Sequence, residues 1–282
     1  MGSSGQLGSE FVKHCSRESL LLWDIEDLDI SILRQVEKVL EGRRLDVLVN
    51  LAAFHNTNAC EEEQLRAYSV NAVGAYNVAR AGSERRCKVV FISSDYVFGQ
   101  DTDRSSPYVE SDPVAPINVY GASKVAGEHM VRALCPDHLI VRTSSLFGVT
   151  TSKKGWTFPE MIVGRARAGE PLRVVTDQVM SPTYTHDLVA KILELLNRDA
   201  TGTVHICNGG ECSWHEFATH ALKILGIDYS IARCTSDAFP SPARRPSYSA
   251  MKSERMGSFG IADMRHWSEA LRAYLREKGW LP

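Results

Sequence analysis

Two short stretches hold the side chains that could do chemistry. Ser93, Ser94 and Asp95 close the apolar, β-branched run Lys88-Val89-Val90-Phe91-Ile92, and Tyr120 and Lys124 lie downstream in Asn118-Val119-Tyr120-Gly121-Ala122-Ser123-Lys124. Such a run predicts a strand buried on both faces. Open α/β sheets place their ligands beyond the carboxyl ends of these strands. Residues four apart share one face of a helix, so Tyr120 and Lys124 would stand side by side. A phenol titrates at about 10 when unperturbed, and a neighbouring ammonium favours its ionised form. Together these groups could exchange a proton with an oxygen that Ser94 holds in place.

The Tyr-x-x-x-Lys spacing decides little by itself, because Tyr248 and Lys252 repeat it. Position separates the two pairs. Tyr120 opens an amphipathic pattern running through Ala126, Met130 and Val131, whereas Tyr248 follows the Arg244-Arg245-Pro246 stretch. On pattern alone, catalytic and structural roles both stay open for the first pair. The second reads as structure or substrate contact.

The surrounding elements alternate. A glycine-spaced start, Gly2-Ser3-Ser4-Gly5-Gln6-Leu7-Gly8, runs into a helical pattern over Glu10 to Cys15. Glycines so placed let backbone approach a pyrophosphate at a helix N-terminus; a flexible terminus is the plain alternative. Ser19 to Trp23 reads as a strand ending at Asp24, where an acidic residue would meet a ribose hydroxyl. A helix over Ile32 to Leu40 follows, then a strand over Leu45 to Val49 ending in Asn50-Leu51-Ala52-Ala53, and a helix over Glu61 to Ala81. His138 to Arg142 is a further strand, ending in Thr143-Ser144-Ser145. Lys153 to Trp156 reads as an exposed loop, and helices are expected at Phe158 to Ala168, His186 to Asn197, Ser213 to Leu225 and Asp263 to Lys278. Ser213 with Glu216 fits a capping box, which makes that glutamate structural. The alternation predicts an α/β fold, a Rossmann-like doubly wound parallel sheet, with a smaller C-terminal α+β lobe. The soft boundary falls near residue 150, dividing 1–150 from 151–282.

Composition narrows the function classes. Of 282 residues, 44% are hydrophobic and 23% charged, with a net charge of -2; this favours neither nucleic acid nor a membrane surface as partner. No apolar run reaches the roughly 20 residues that span a bilayer, and no signal peptide pattern opens the chain. Seven scattered cysteines without a CxxC pair suit reduced thiols in the cytoplasm, and no metal-ligand cluster stands out.

Taken in order, Gly-Ser-Ser-Gly-Gln-Leu-Gly, Asn-Leu-Ala-Ala, Ser-Ser-Asp-Tyr-Val-Phe, Asn-Val-Tyr-Gly-Ala-Ser-Lys, Arg-Thr-Ser, Asp-Gln-Val-Met-Ser-Pro-Thr-Tyr and Pro-Ala-Arg-Arg-Pro resemble the extended short-chain dehydrogenase/reductases, and specifically the dTDP-4-dehydrorhamnose reductases. The resemblance runs from Gly2 to about Trp280. It implies an NAD(P)H-dependent oxidoreductase that reduces the 4-keto group of a nucleotide-sugar, yielding dTDP-L-rhamnose, and leaves a homodimer as an expectation. It assigns Tyr120 as the acid, Lys124 as the group that lowers its pKa and holds the nicotinamide ribose, and Ser94 as donor to the keto oxygen. Asn71 supports the lysine through water. Gly2, Gly5, Gln6, Leu7 and Gly8 form the pyrophosphate loop, Asp29 and Ile30 flank the adenine, and Ala52 and Ala53 line the cofactor. Asp95, Tyr96, Gln178 and Arg245 fall on the sugar-nucleotide side.

Departures mark what the resemblance leaves open. Family members carry a strand before the first glycine, where Met1 stands here; the expectation is either an upstream start or a truncated form with weakened cofactor binding. A non-catalytic NAD(P)-binding regulatory subunit of the same fold, like the methionine adenosyltransferase beta subunit, is the rival reading, and a reductase of another carbonyl the third. Met180, Trp156 and Ser145 depart from the family pattern on the substrate side. Asp24 with Ile25 after it favours NADH over NADPH by charge repulsion against a 2′-phosphate.

Overall fold

A computed structural model describes residues 1–150 and 155–281. Helix α1 (Gln6–His14) opens the fold, followed by α2 (Leu33–Leu40), strand β1 (Val47–Asn50), α3 (Thr57–Glu62), α4 (Gln64–Tyr68), a π-helical turn at Ser69–Val73 and α5 (Gly74–Arg85). Next come β2 (Lys88–Ser94), a 3₁₀ turn at Asp95–Val97, α6 (Val119–Leu134), β3 (His138–Thr143) and β4 (Leu146–Phe147). The remainder comprises α7 (Phe158–Arg167), β5 (Arg173–Val175), β6 (Val179–Met180), β7 (Thr183–Tyr184), α8 (Thr185–Leu196), β8 (Gly202–His205), β9 (Cys212–Ser213), α9 (Trp214–Ile224), β10 (Ala232–Cys234) and α10 (Trp267–Glu277).

β1, β2, β3 and β8 form one parallel sheet in that order. Alternate side chains on each strand explain why it is buried on both faces. Val89, Phe91 and Ile140 point to a core shared with Val36 and Leu40 of α2 and Val78 and Ala79 of α5. Val90, Leu139, Val141 and Val204 point the other way, against Leu7 and Phe11 of α1 and Leu188, Ile192 and Leu195 of α8. The doubly wound fold is therefore present. β8, drawn from beyond residue 150, completes its edge. Smaller cores under α7, α9 and α10 gather Phe147, Phe217, Trp267 and Tyr274, and separately Ile162, Leu172 and Leu222.

One expected element is corrected. Ser19 to Trp23 is not a strand: Ser19 ends a 3₁₀ turn and residues 20–24 carry no ladder. Leu21 and Leu22 are each 42% exposed, so the apolar run has no sheet face to bury. Only its end is tied down. The Trp23 carbonyl accepts from Gly2 N at 2.8 Å and Ser3 N at 3.2 Å, while Leu51 N donates to Met1 O at 3.1 Å. Met1 and Gly2 thus join this extended stretch to the end of β1. The helix expected over Glu61 to Ala81 is instead several helical pieces with the π turn among them. Of the loop expected at Lys153 to Trp156, the two lysines lie outside the described residues, and Gly155 and Trp156 are exposed. The capping box at Ser213 and Glu216 is formed.

Candidate active site

A cavity of about 660 Å³ lies at the carboxyl ends of the strands. Its walls include Gly2, Gly5, Gln6, Leu7 and Gly8 at one end and Ser94, Asp95, Tyr120 and Lys124 at the other, with Asp24, Asp29, Ile30, Ala52 and Ala53 between. Every expected cofactor residue is thus on one continuous surface. The glycines have steric reasons to be glycine. Gly2 sits at φ 80°, a left-handed conformation that side chains rarely adopt, and a Cβ on Gly8 would lie 2.4 Å from Gly2 O. Gly5 caps α1 without a side-chain hydrogen bond, and the first turn holds no acidic residue. This leaves N–H groups and the positive end of the helix for an anion. Asp24 Oδ2 accepts from Ser4 N at 2.7 Å, which places a carboxylate at the cavity wall beside the loop. The donor set and the small-residue floor fit a dinucleotide.

At the far end, α6 is seated by Asn118, whose Oδ1 accepts from Gly121 N at 2.8 Å and whose Nδ2 donates to Arg244 O at 2.9 Å. One side chain therefore caps the helix that carries Tyr120 and ties down the Arg244-Arg245 loop. Asn118→Ala should cost about 1–2 kcal/mol of stability, read from the denaturant midpoint.

Burial dominates the electrostatics. It raises the Tyr120 pKa, which a hydrogen bond with Ser94 opposes and the charge of Asp95 reinforces. The sequence reading has Lys124 lowering that pKa; in the folded protein desolvation outweighs any such help, so the phenol keeps its proton at neutral pH. Lys124 is itself buried, its ammonium 4.1 Å from the centre of the Phe91 ring, and desolvation pulls its pKa down to about 7 against the opposing charge of Glu128. Asn71 lies behind the cavity wall rather than in it. Its Oδ1 accepts from Phe54 N at 2.9 Å, and its Nδ2 donates to Phe54 O at 3.0 Å and Ser123 Oγ at 2.9 Å. The π turn that presents it is the kind of local irregularity found at functional sites.

The substrate candidates divide. Asp95 is buried and accepts three hydroxyls: Ser94 at 3.0 Å, Ser144 at 2.9 Å and Ser249 at 2.6 Å. Desolvation raises its pKa and the three hydroxyls oppose the rise. Asp95, Tyr96 and Gln178 share a narrow cleft with Ser145, Trp214 and Pro246. Gln178 donates to Ser236 Oγ at 2.8 Å. Arg245 lines neither space; it holds Ser241 Oγ at 2.8 Å and reaches Asn58 Oδ1 at 3.5 Å. Its charge and hydrogen bond act on Tyr96, although burial still raises that phenol's pKa. Asn58 on α3 and Ser144, Ser241 and Ser249 in loops escaped the sequence reading, because single polar residues have no spacing to betray them. Tyr248, of the second Tyr-x-x-x-Lys pair, hydrogen-bonds Glu211 and packs in a core with Phe98 and Tyr108, a structural place.

One grouping also escaped the sequence. Ligand atoms of Glu10, His14 and His186 lie within 4.8 Å of one another. Glu10 and His14 are four apart on α1, and His186 comes from α8, so no spacing reveals the trio. It stands outside the cavity walls, with Lys13 held to Glu10 at 3.0 Å.

Comparison with known proteins gives the lineage. The sequence profile described as "RmlD substrate binding domain" matches residues 1–279. The chain belongs to this family, that of the dTDP-4-dehydrorhamnose reductases. Among its relatives, "Spore coat polysaccharide biosynthesis protein SpsK" of Bacillus subtilis is 37% identical over 281 residues, covering 98% of this chain and 96% of that protein. A dTDP-4-dehydrorhamnose reductase of Mycobacterium tuberculosis is 35% identical, over 97% of this chain and 90% of its own. The crystal structure of the dTDP-4-dehydrorhamnose reductase of Bacillus anthracis in complex with NADP superposes with a TM-score of 0.92 at 36% identity, covering 98% of this chain and 97% of that one.

Proposed function

We propose that the protein reduces the 4-keto group of a nucleotide-activated 6-deoxy sugar, with dTDP-4-dehydrorhamnose as substrate and dTDP-L-rhamnose as product. The observation that carries this reading is the meeting of Ser94, Tyr120 and Lys124 at one end of a cavity whose other end is the Gly2–Gly8 loop. The names of the relatives support the choice of sugar.

A bound reduced nicotinamide would supply the hydride. The chain's own residues then manage the oxygen. Ser94 Oγ accepts from Tyr96 N at 3.1 Å and gives its proton to Asp95; to hold a ketone oxygen it must turn that proton away, which Asp95 tolerates because Ser144 and Ser249 remain bonded to it. Tyr120, kept protonated by burial, delivers its proton as negative charge grows on the oxygen. Lys124 steadies that charge and binds the ribose. Residues 1–150 supply the cofactor side and 151–282 most of the substrate side, to which Asp95 and Tyr96 of the first part also contribute, with Arg245 behind Tyr96.

The preferred cofactor is NADH, on the ground that a carboxylate at Asp24 accepts a ribose hydroxyl and repels a 2′-phosphate. Asp24→Ser should improve the NADPH to NADH affinity ratio by about tenfold, measured by quenching of tryptophan fluorescence. An unchanged ratio would remove Asp24 from the choice. The activity itself is tested by nicotinamide oxidation with dTDP-4-dehydrorhamnose, product confirmed as the rhamnose epimer. A folded chain that binds the dinucleotide yet turns over none of this sugar would overturn the assignment.

A further inference from the structure

Tyr120, Lys124 and Glu128 follow one another at four-residue intervals along α6, on one face of the helix. The first two reach the cavity; Glu128 does not. It is 1% exposed and its carboxylate is saturated. Oε1 accepts from Ser93 Oγ at 2.6 Å and from Arg142 Nε at 2.8 Å, and Oε2 accepts from Arg142 Nη2 at 2.7 Å. Ser93 belongs to β2 and Arg142 to β3. The helix bearing the phenol is therefore bolted to the two central strands through one carboxylate, in the two-pronged geometry that best orients an arginine pair.

The far side of Arg142 explains why Glu128 must balance its charge. Arg142 Nη1 faces His205 Nε2 at 3.4 Å. A guanidinium can only donate, so that nitrogen is the acceptor and the ring proton sits on Nδ1, where the carbonyls of Tyr108 and Lys252 each lie at 3.2 Å. Burial and the Arg142 charge both lower the His205 pKa, against Glu110. The imidazole is thus neutral, and Glu128 neutralises Arg142. The charge that acts on Lys124 is that of Glu128; Asp95, Asp24, Asp29 and Arg66 line the same cavity, and Arg132 on α6 is exposed and 3.6 Å from Glu128. Asn71 and Ser123 on its flank are uncharged.

We propose that Glu128 is a positioning residue which, with Arg142, fixes the catalytic helix on the sheet and sets the charge state of Lys124. Burial alone drives a lysine toward the neutral amine. A carboxylate one turn along the same helix holds the proton on, and the arginine behind it limits how strongly. This rests on the reading of Lys124 as the ammonium beside the cofactor, but its test does not need turnover.

The test is a pH titration of the whole chain labelled with ¹³C at lysine Cε, followed by NMR, with Lys124→Arg used to identify the Lys124 signal. Glu128→Gln leaves Arg142 uncompensated, so the Lys124 midpoint should fall by about one unit or more. Arg142→Gln leaves the carboxylate uncompensated, so the midpoint should not fall. A purely structural pair would disturb Lys124 alike from either side. A midpoint unmoved in Glu128→Gln, or lowered equally in both variants, overturns the proposal. Breaking a buried pair from one side can unfold a protein. Should either single variant not fold, the double variant Glu128→Met/Arg142→Met replaces both charges, and a midpoint unchanged there also overturns it. If the native chain shows the shifted Lys124 signal but reduces no sugar, the function assigned above fails while this inference stands.

Discussion

Tyr120→Phe should lower kcat by about a hundred- to ten-thousandfold, the range expected for loss of a positioned proton donor. Cofactor affinity should scarcely move. The phenol ring packs edge-on against Tyr96 at a centroid distance of 6.1 Å, and phenylalanine preserves that contact. What disappears is the hydroxyl that reaches Ser94, and with it the one proton that burial keeps in place at neutral pH. Steady-state turnover together with dinucleotide titration checks both halves. Unimpaired turnover in this variant would mean that the proton comes from elsewhere, with Ser94 the next group to test. A parallel loss of dinucleotide binding would mean that the hydroxyl also holds the cofactor, so that the fall in kcat could not be assigned to proton donation alone.

The second large effect is predicted at a residue with no functional group. Gly121 follows Tyr120 in the first turn of α6, and a Cβ there would lie 2.0 Å from Tyr96 O and 3.0 Å from Pro116 Cβ. Backbone cannot yield as a flexible side-chain tip can, so Gly121→Ala must push the helix off the 3₁₀ turn that carries Asp95 and Tyr96. Overpacking of this kind costs about 1–3 kcal/mol. A displacement of about 1 Å at Tyr120 costs roughly a hundredfold in rate. Denaturant midpoint and kcat should therefore fall together. Gly164, inside α7, is the control: among the described residues nothing lies within 4 Å of where an added methyl group would stand, so Gly164→Ala should leave rate unchanged and gain up to about 1 kcal/mol. Equal behaviour of the two alanine variants would show that the close seat of α6 does not place Tyr120.

Legibility in the sequence followed the physics of each part. β2 and β3 were readable because burial on both faces demands unbroken apolar runs, and the helices because one-sided burial leaves a period. The same logic misread Leu20 to Trp23, where an apolar run meets no strand partner beyond the Trp23 carbonyl. Tyr120 and Lys124 could be placed together because helical spacing is local. By contrast, Asp95 gathers Ser144 and Ser249 from distant segments, and no local rule predicts a tertiary hydrogen bond. The sign of the Tyr120 shift was also out of reach, since it depends on how deeply the ring is enclosed rather than on which residue lies four places away.

The position of β8 has a consequence for how the chain matures. Leu139 pairs with Gly202 and Val141 with Val204, so the outer edge of β3 stays open until most of the polypeptide has been synthesised. Parallel pairings between distant segments form late, since the loop entropy must be met before the contact rewards it. During that interval β3, an uninterrupted buried run in the finished protein, presents bare backbone amides and carbonyls to its surroundings. Nascent chains halted before residue 202 should therefore be the species most dependent on chaperones, and release of the last third should mark the moment at which protease resistance appears.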